Sequence, residues 1–338
     1  MTGKNNSSCT RFFLLIGFFL ATLLVAPWLG STPVGVKDIW QSLHGQVNDV
    51  SYIFWSLRLP RVLMGGLTGM GLALSGLVLQ ALLRNHLADP YTLGIGSGSA
   101  LGAVLAIALG VGSHFYFLST VSLMAFLGAL LSMMIVLGLS RGLSGLESAR
   151  IILTGITLQF FFSSVVLILH YLASLFQSQQ ILHWLIGGID IDGYEVFAQI
   201  APFYLIGLCL LFPLRDDLNL LLVGEEYAHS RGVNVKSIKT RVFLGASLLT
   251  GSIISVVGPI GFVGLMSPHL AKFLMGWDHR RGYWATMMIG ALLVIWCDVV
   301  CRVLIFPLEL PVGAMTSLIG GPYMIFLLYR RQRGRGLM

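Results

Sequence analysis

Two arginines, Arg58 and Arg61, bracket Leu59-Pro60 at the head of the apolar, glycine-rich run SLRLPRVLMGGLTGMGLALSG at 56–76. A third, Arg302, closes a later apolar run one helical turn after Asp298. Two readings fit this pattern. The arginines serve an acidic partner or ligand, or they snorkel to headgroups while Arg302 pairs with Asp298 at i,i+4. Other chemistry is sparse. Cys297 and Cys301 are one turn apart, but two thiols without nearby histidine make a poor metal site, and packing explains them better. The four cysteines form no disulfide framework. The glycine-rich GIGSGSALG at 94–102 has no following lysine and sits in an apolar run, so helix packing explains it. No HExxH, CxxC or nucleophile elbow occurs, so an enzyme, a cofactor and a bound metal are all unexpected. Mid-run polarity is mild (Gln80, Thr154, Thr157, Gln159, Ser163, Ser164), with His170 and His269 near the ends of runs. Ion-coupled carriers place acids at mid-membrane. Mild polarity suits a wide, weakly binding pathway whose energy comes from elsewhere.

The elements that carry these residues are membrane spans. Of 338 residues, 56% are hydrophobic and 10% charged, and the mean hydropathy is +0.85; soluble domains are about 25% charged. Apolar blocks of span length predict an all-α polytopic membrane protein, not a β-barrel. Ten spans are expected, at 11–30, 61–83, 91–111, 116–139, 150–172, 196–214, 240–257, 260–275, 284–305 and 312–329, the eighth short and interrupted by Pro268. Together they form one transmembrane domain over 1–338. The N-terminus has the charges and apolar core of a signal peptide; an uncleaved first span is the expectation, because the even span count requires it.

With the N-terminus inside, 17 of the 21 Lys and Arg residues fall on cytoplasmic ends. That bias orients the chain with both termini cytoplasmic. It also accounts for the +7 charge without nucleic acid. Arg58, Arg61 and Arg302 then lie on the outer face, with Lys37 the other exception. Val36, Ile39, Trp40 and Leu43 share one helical face, as in a helix lying on the outer lipid surface. The charged stretch 215–241 is cytoplasmic. Within it GEEYAHSRG reads as a short helix, with Glu225 and Glu226 in the first turn, Arg231 in the last and Gly232 at C′. It is either a docking element or a solvated loop. RVLMG at 61–65 returns as RVFLG at 241–245, an odd number of spans later. That is the mark of an inverted repeat, common in transporters. Small-residue ladders such as Gly65/Gly69 and Gly94/Gly98/Gly102 allow close helix approach.

In order along the chain, RLPRVLMGGLTGMGLALSGLVLQALLRNHLADPYTLGIGSGSALGA, GEEYAHSRGV, GPIGFVGLMSPHLAKFLMG, DHRRGYW, CDVVCRV and ELPVGAMTSLIGGPYMIFLL resemble the FecCD/BtuC-type permeases of ABC importers for iron–siderophores, haem or vitamin B12. The resemblance covers about 30–330. It implies a ten-span homodimer in a bacterial inner membrane, with the pathway lined by the fifth and tenth spans. An ABC ATPase dimer would sit on the cytoplasmic side and a periplasmic or lipid-anchored substrate-binding protein outside. Ferric siderophore is the first substrate choice, then cobalamin or haem. By the resemblance, Arg58, Arg61 and Arg302 accept acids of the binding protein. The stretch 217–232 forms coupling helices on the ATPase, with Gly224, Glu225, Ala228, Arg231 and Gly232. Leu87 and Ser148 are gate candidates in loops 84–90 and 144–150. Thr154, Gln159, Ser163 and Thr316 are pathway candidates. His86 replaces a usual proline, Arg231 an apolar residue, and Lys272 an arginine. The alternative reading is an ion-coupled secondary transporter built from inverted repeats.

Overall fold

The computed structural model describes residues 2–44, 48–111, 114–115, 118–140, 147–275, 279–305 and 307–335. The helices in chain order are α1 (Thr2–Val25), α2 (Val36–Leu43), α3 (Asp49–Tyr52), α4 (Leu59–Leu83), α5 (Ile95–Ala108), α6 (Thr120–Ser140), α7 (Glu147–Leu172), α8 (Leu175–Ile186), α9 (Glu195–Leu211), α10 (Arg215–Val223), α11 (Glu225–Ser230), α12 (Val235–Val257), α13 (Val263–Met275), α14 (His279–Leu304) and α15 (Val312–Arg335). A π-helical turn, Ile53–Arg58, leads into α4. The two-residue strands His114–Phe115 and Leu118–Ser119 form an antiparallel pair.

Each of the ten expected spans meets a helix, but among the described residues only eight helical segments are long and apolar enough to cross a membrane. The shortfall lies in α5 and α13, of 14 and 13 residues. Both start late. Asp89-Pro90 and a left-handed Gly94 hold the chain in turns before α5, and left-handed Gly258 and Phe262 do so before α13. About 20 residues are needed for a full crossing as helix, so the helical parts of these two spans are short and the turns before them make up part of each.

Hydropathy is uniform around most of these helices, so periodicity alone does not say which are central. Packing separates them. The spans of α4, α12 and α14 are about three-quarters buried, whereas that of α1 is 11% buried. Small residues make the difference. A side chain at Gly69 would run into the backbone of Gly290 in α14, and one at Gly76 into the backbone of Gly264 in α13. The two RV-G segments begin or lie within α4 and α12. Each of these buried helices is followed by a turn and a short helix, α5 or α13. The turns meet in the interior: the N–H of Ile260 donates to the Tyr91 hydroxyl at 2.7 Å, and Gln80 Nε2 donates to the carbonyl of Gly264 at 3.0 Å.

On α2, Ile39 is buried while Val36, Trp40 and Leu43 are exposed. Ile39 thus turns into the chain, and the other three apolar side chains of the expected face are left uncovered by it. The charged stretch after α9 resolves into two helices, α10 and α11.

Candidate functional site

Arg58 ends the π-helical turn, Arg61 stands in the first turn of α4 after Pro60, and Arg302 is in the last turn of α14. All three line one cavity of about 440 Å³, together with Gly30, Thr32, Asp190, Asp192 and Glu309. Arg58 donates to the carbonyls of Thr32 at 2.6 Å and Trp28 at 3.4 Å. Arg61 donates through Nε to Asp298 at 2.8 Å and through Nη1 to Glu309 at 2.7 Å. Arg302 Nε lies 3.0 Å from the other Asp298 oxygen, an ion contact whose angle is too poor for a hydrogen bond. Both Nη groups of Arg302 are buried without a partner among the described residues. Arg58 and Arg302 are 6% and 5% exposed and the Arg61 side chain 14%, so none of the three extends freely from the surface of the chain. The Asp298–Arg302 pair is present, yet it leaves part of the Arg302 fork unused.

The remaining acids of this cavity are also held. Tyr52 donates its hydroxyl to Asp192 at 3.2 Å. Asp190 lies 3.3 Å from His183 Nε2 on α8. Four carboxylates (Asp190, Asp192, Asp298, Glu309) therefore face three guanidiniums.

At the far end of α4, Arg84 takes a left-handed conformation, φ 47°, and closes the helix. Its Nε donates to the carbonyl of Leu221 in α10 at 2.9 Å. Gly224 separates α10 from α11. Glu225 contacts Lys239 at 3.3 Å. Ala228 is fully buried. Arg231 caps α11 just past its last residue, and its guanidinium lies 5.4 Å from the Tyr227 ring centre. Gly232 is left-handed, φ 81°, and lets the N–H of Val233 return to the Ala228 carbonyl at 3.1 Å. The pair is thus a terminated unit anchored to α4 and α12.

Near Arg84, Leu87 is exposed and the His86 ring meets His269 edge-on with centres 5.8 Å apart. Ser148 is half-buried at the start of α7; residues 144–146 of the expected gate loop lie outside the described residues. On α7, Gln159 and Ser163 are exposed and Thr154 half-buried. Thr316 departs from its expected place. It is 4% exposed, and its hydroxyl donates to Gly313 within its own helix. The neighbouring Ser317 lies on the exposed side instead.

Three features escaped the sequence reading. Glu309 precedes Leu310-Pro311 in an irregular segment, with nothing local to tie it to Arg61, 248 residues away. Asp89 reads as a polar turn residue but is 2% exposed. Burial pushes its carboxyl up to about 7, against the bond it accepts from the Tyr91 N–H. Helix α8 lies where the sequence reading assigns no element. Its signal was present: Ser174 and Gln177 form a capping box.

The FecCD transport family model matches residues 14–330. The hemin transport system permease protein of Yersinia pestis is 37% identical over 95% of this chain and 97% of its own length. The Fe(3+) dicitrate transport system permease protein of Escherichia coli is 34% identical over 94% and 97%. The vitamin B12 import system permease protein of Klebsiella pneumoniae is 34% identical over 96% and 94%. A solved structure of an inward-facing transporter, described as of the metal-chelate ABC type, superposes with a TM-score of 0.81 at 30% identity, covering 96% of this chain and 99% of that one.

Proposed function

This chain belongs to the FecCD transport family, and from that premise we propose that it is the membrane-spanning subunit of a binding-protein-dependent ABC importer for a metal chelate. One observation carries the mechanism. The buried helix α4 carries Arg61 at its head, just after Arg58 and bonded to Asp298 beside Arg302, and through Arg84 it is joined to the α10–α11 pair at its foot. Some 23 residues of helix at about 1.5 Å each separate them by about 35 Å, a membrane thickness.

In this reading the arginine end is periplasmic and receives acids of the substrate-binding protein. Charge pairing of this kind sets register and on-rate. The α10–α11 pair faces the cytoplasm and rests on an ABC ATPase, which hydrolyses ATP on its own chain. Closure of the ATPase dimer moves the pair, and α4 and α12 transmit the movement to the pathway. Two copies of the chain enclose that pathway between their α7 and α15 helices. Gln159, Ser163 and Ser317 supply hydroxyl and amide groups to it, and Leu87 and Ser148 lie at its inner mouth. Both termini are cytoplasmic and the membrane is the inner one. The uncovered apolar faces of α7 and α15, with Phe160, Leu167, Leu318 and Ile325 all more than 60% exposed, support a second copy covering them.

Among chelates, haem, ferric citrate and cobalamin are the substrates named for the relatives. Ferric siderophore remains the first choice here, with haem and cobalamin next. The test is uptake into proteoliposomes holding this chain with its ATPase and binding protein, offering each chelate with and without ATP. ATP-dependent, vanadate-sensitive uptake of one chelate supports the reading. Uptake that survives vanadate but collapses with an uncoupler would assign an ion-coupled carrier instead.

A further inference from the structure

The cavity that holds Arg58, Arg61 and Arg302 is already oversupplied with acid. Asp190, Asp192 and Glu309 line it, and Asp298 bridges Arg61 and Arg302 from below. An acidic side chain arriving from outside therefore competes with carboxylates already in place. Asp298 is fixed: it is 1% exposed and sits within α14 between two guanidiniums. Asp192 is held by Tyr52, and Asp190 faces His183 rather than an arginine. Glu309 differs from all three in its combination of exposure and partner. Like Asp190 it is about half exposed and outside regular helix, but among the described carboxylates of this cavity it is the exposed one that is ion-paired to an arginine, Arg61, at 2.7 Å.

Glu309 also has somewhere to go. A second cavity of about 160 Å³ adjoins the first and shares Arg61, Asp190 and Glu309 with it. His183 lines this second space. The segment that carries Glu309 runs directly into α15. Leu310 is tied by its N–H to the Cys301 carbonyl at 3.2 Å, Pro311 stiffens the chain, and the N–H of Gly313 donates to the Gly187 carbonyl at 3.1 Å. Movement at Glu309 is therefore passed to the head of α15 and to the end of α8.

We infer that Glu309 is a built-in competitor for the docking site: its carboxylate occupies Arg61 until an acidic side chain of the binding protein displaces it, and the displacement releases the segment that leads into α15. This rests on the docking reading above. The displacement exchanges one carboxylate–guanidinium pair for another, so docking is selective for a partner whose acid fits the fork better than Glu309 does. It also signals arrival of the partner to a helix that lines the pathway.

Two variants separate this inference from the reading beneath it. Arg302→Lys keeps a charge beside Asp298 but removes the unused Nη fork; docking of the liganded binding protein to the assembled transporter in nanodiscs should weaken about tenfold. Unchanged docking would overturn the docking reading itself. Glu309→Gln keeps the shape and removes the competing charge; docking should tighten about tenfold. With Arg302→Lys weakened as expected, unchanged or weaker docking by Glu309→Gln overturns the competitor. A second measurement leaves Glu309 intact. Spin labels placed at Leu308, 70% exposed, on both copies should change their separation when the binding protein docks. An unchanged separation means that the segment is not released, and overturns the inference.

Discussion

The Tyr91 hydroxyl accepts the N–H of Ile260 at 2.7 Å, joining the turn that follows α4 to the turn that follows α12. Ile260 is 1% exposed, so its N–H has no access to water if the hydroxyl is removed. Tyr91→Phe leaves that donor unpaired at a cost of about 1–3 kcal/mol. The expected result is a lower unfolding temperature in detergent with the helix content unchanged. An unfolding temperature equal to that of the wild-type chain would show that the bond carries no stability.

Asp89 lies two residues before Tyr91. Burial raises its carboxyl from 3.8 to about 7. The folded chain then holds a proton over a range in which the unfolded chain has lost it. The contribution of this acid to stability is therefore intact below the unfolded value and declines as pH rises from 3.8 to about 7. Asp89→Asn keeps an acceptor for the Tyr91 N–H and removes the titration. The variant should gain unfolding temperature relative to wild type as pH is raised through this window and keep a constant gap above it. A gap independent of pH would rule out the titration.

Arg84 joins the foot of α4 to α10 through its bond to Leu221. Its φ of 47° suits glycine, so Arg84→Gly removes the bond without straining the backbone. ATPase subunits should still assemble on the variant, while stimulation of ATP hydrolysis by the docked binding protein falls several-fold. Full stimulation would remove Arg84 from the coupling route.

Gly69 touches the backbone of Gly290 where α4 crosses α14. Gly69→Val forces α4 and α14 apart where their backbones meet, at about 1–3 kcal/mol for overpacking. Lower yield of folded protein and a reduced unfolding temperature are expected. Gly17→Val, on α1 at a position with open space around it, should change neither. Equal behaviour of the two variants would contradict the packing account.

The amino-acid sequence by itself determined the class of molecule. Span-length apolar blocks and a one-sided distribution of Lys and Arg leave little but a helical membrane protein, because hydrocarbon admits only backbone that satisfies its own hydrogen bonds. Local chemistry also placed α11 and its Gly232 terminus, since capping and dipole signals are read within a single turn. The capping box of α8 was equally local.

What the tertiary structure decided lies in contacts between residues far apart in the chain. Uniform hydropathy does not tell α4 from α1, and only the small residues facing Gly290 and Gly264 place α4 at the centre. The short helices α5 and α13 follow from turns that are stabilised by each other, through Tyr91 and Ile260. The three arginines were legible as residues out of place, but not their state: burial, the bridge by Asp298 and the occupation of Arg61 by Glu309 are set by α4, α14 and the segment before α15 meeting at one end. An ion pair across 248 residues leaves no periodicity and no spacing to read. Its geometry exists only once the helices have packed.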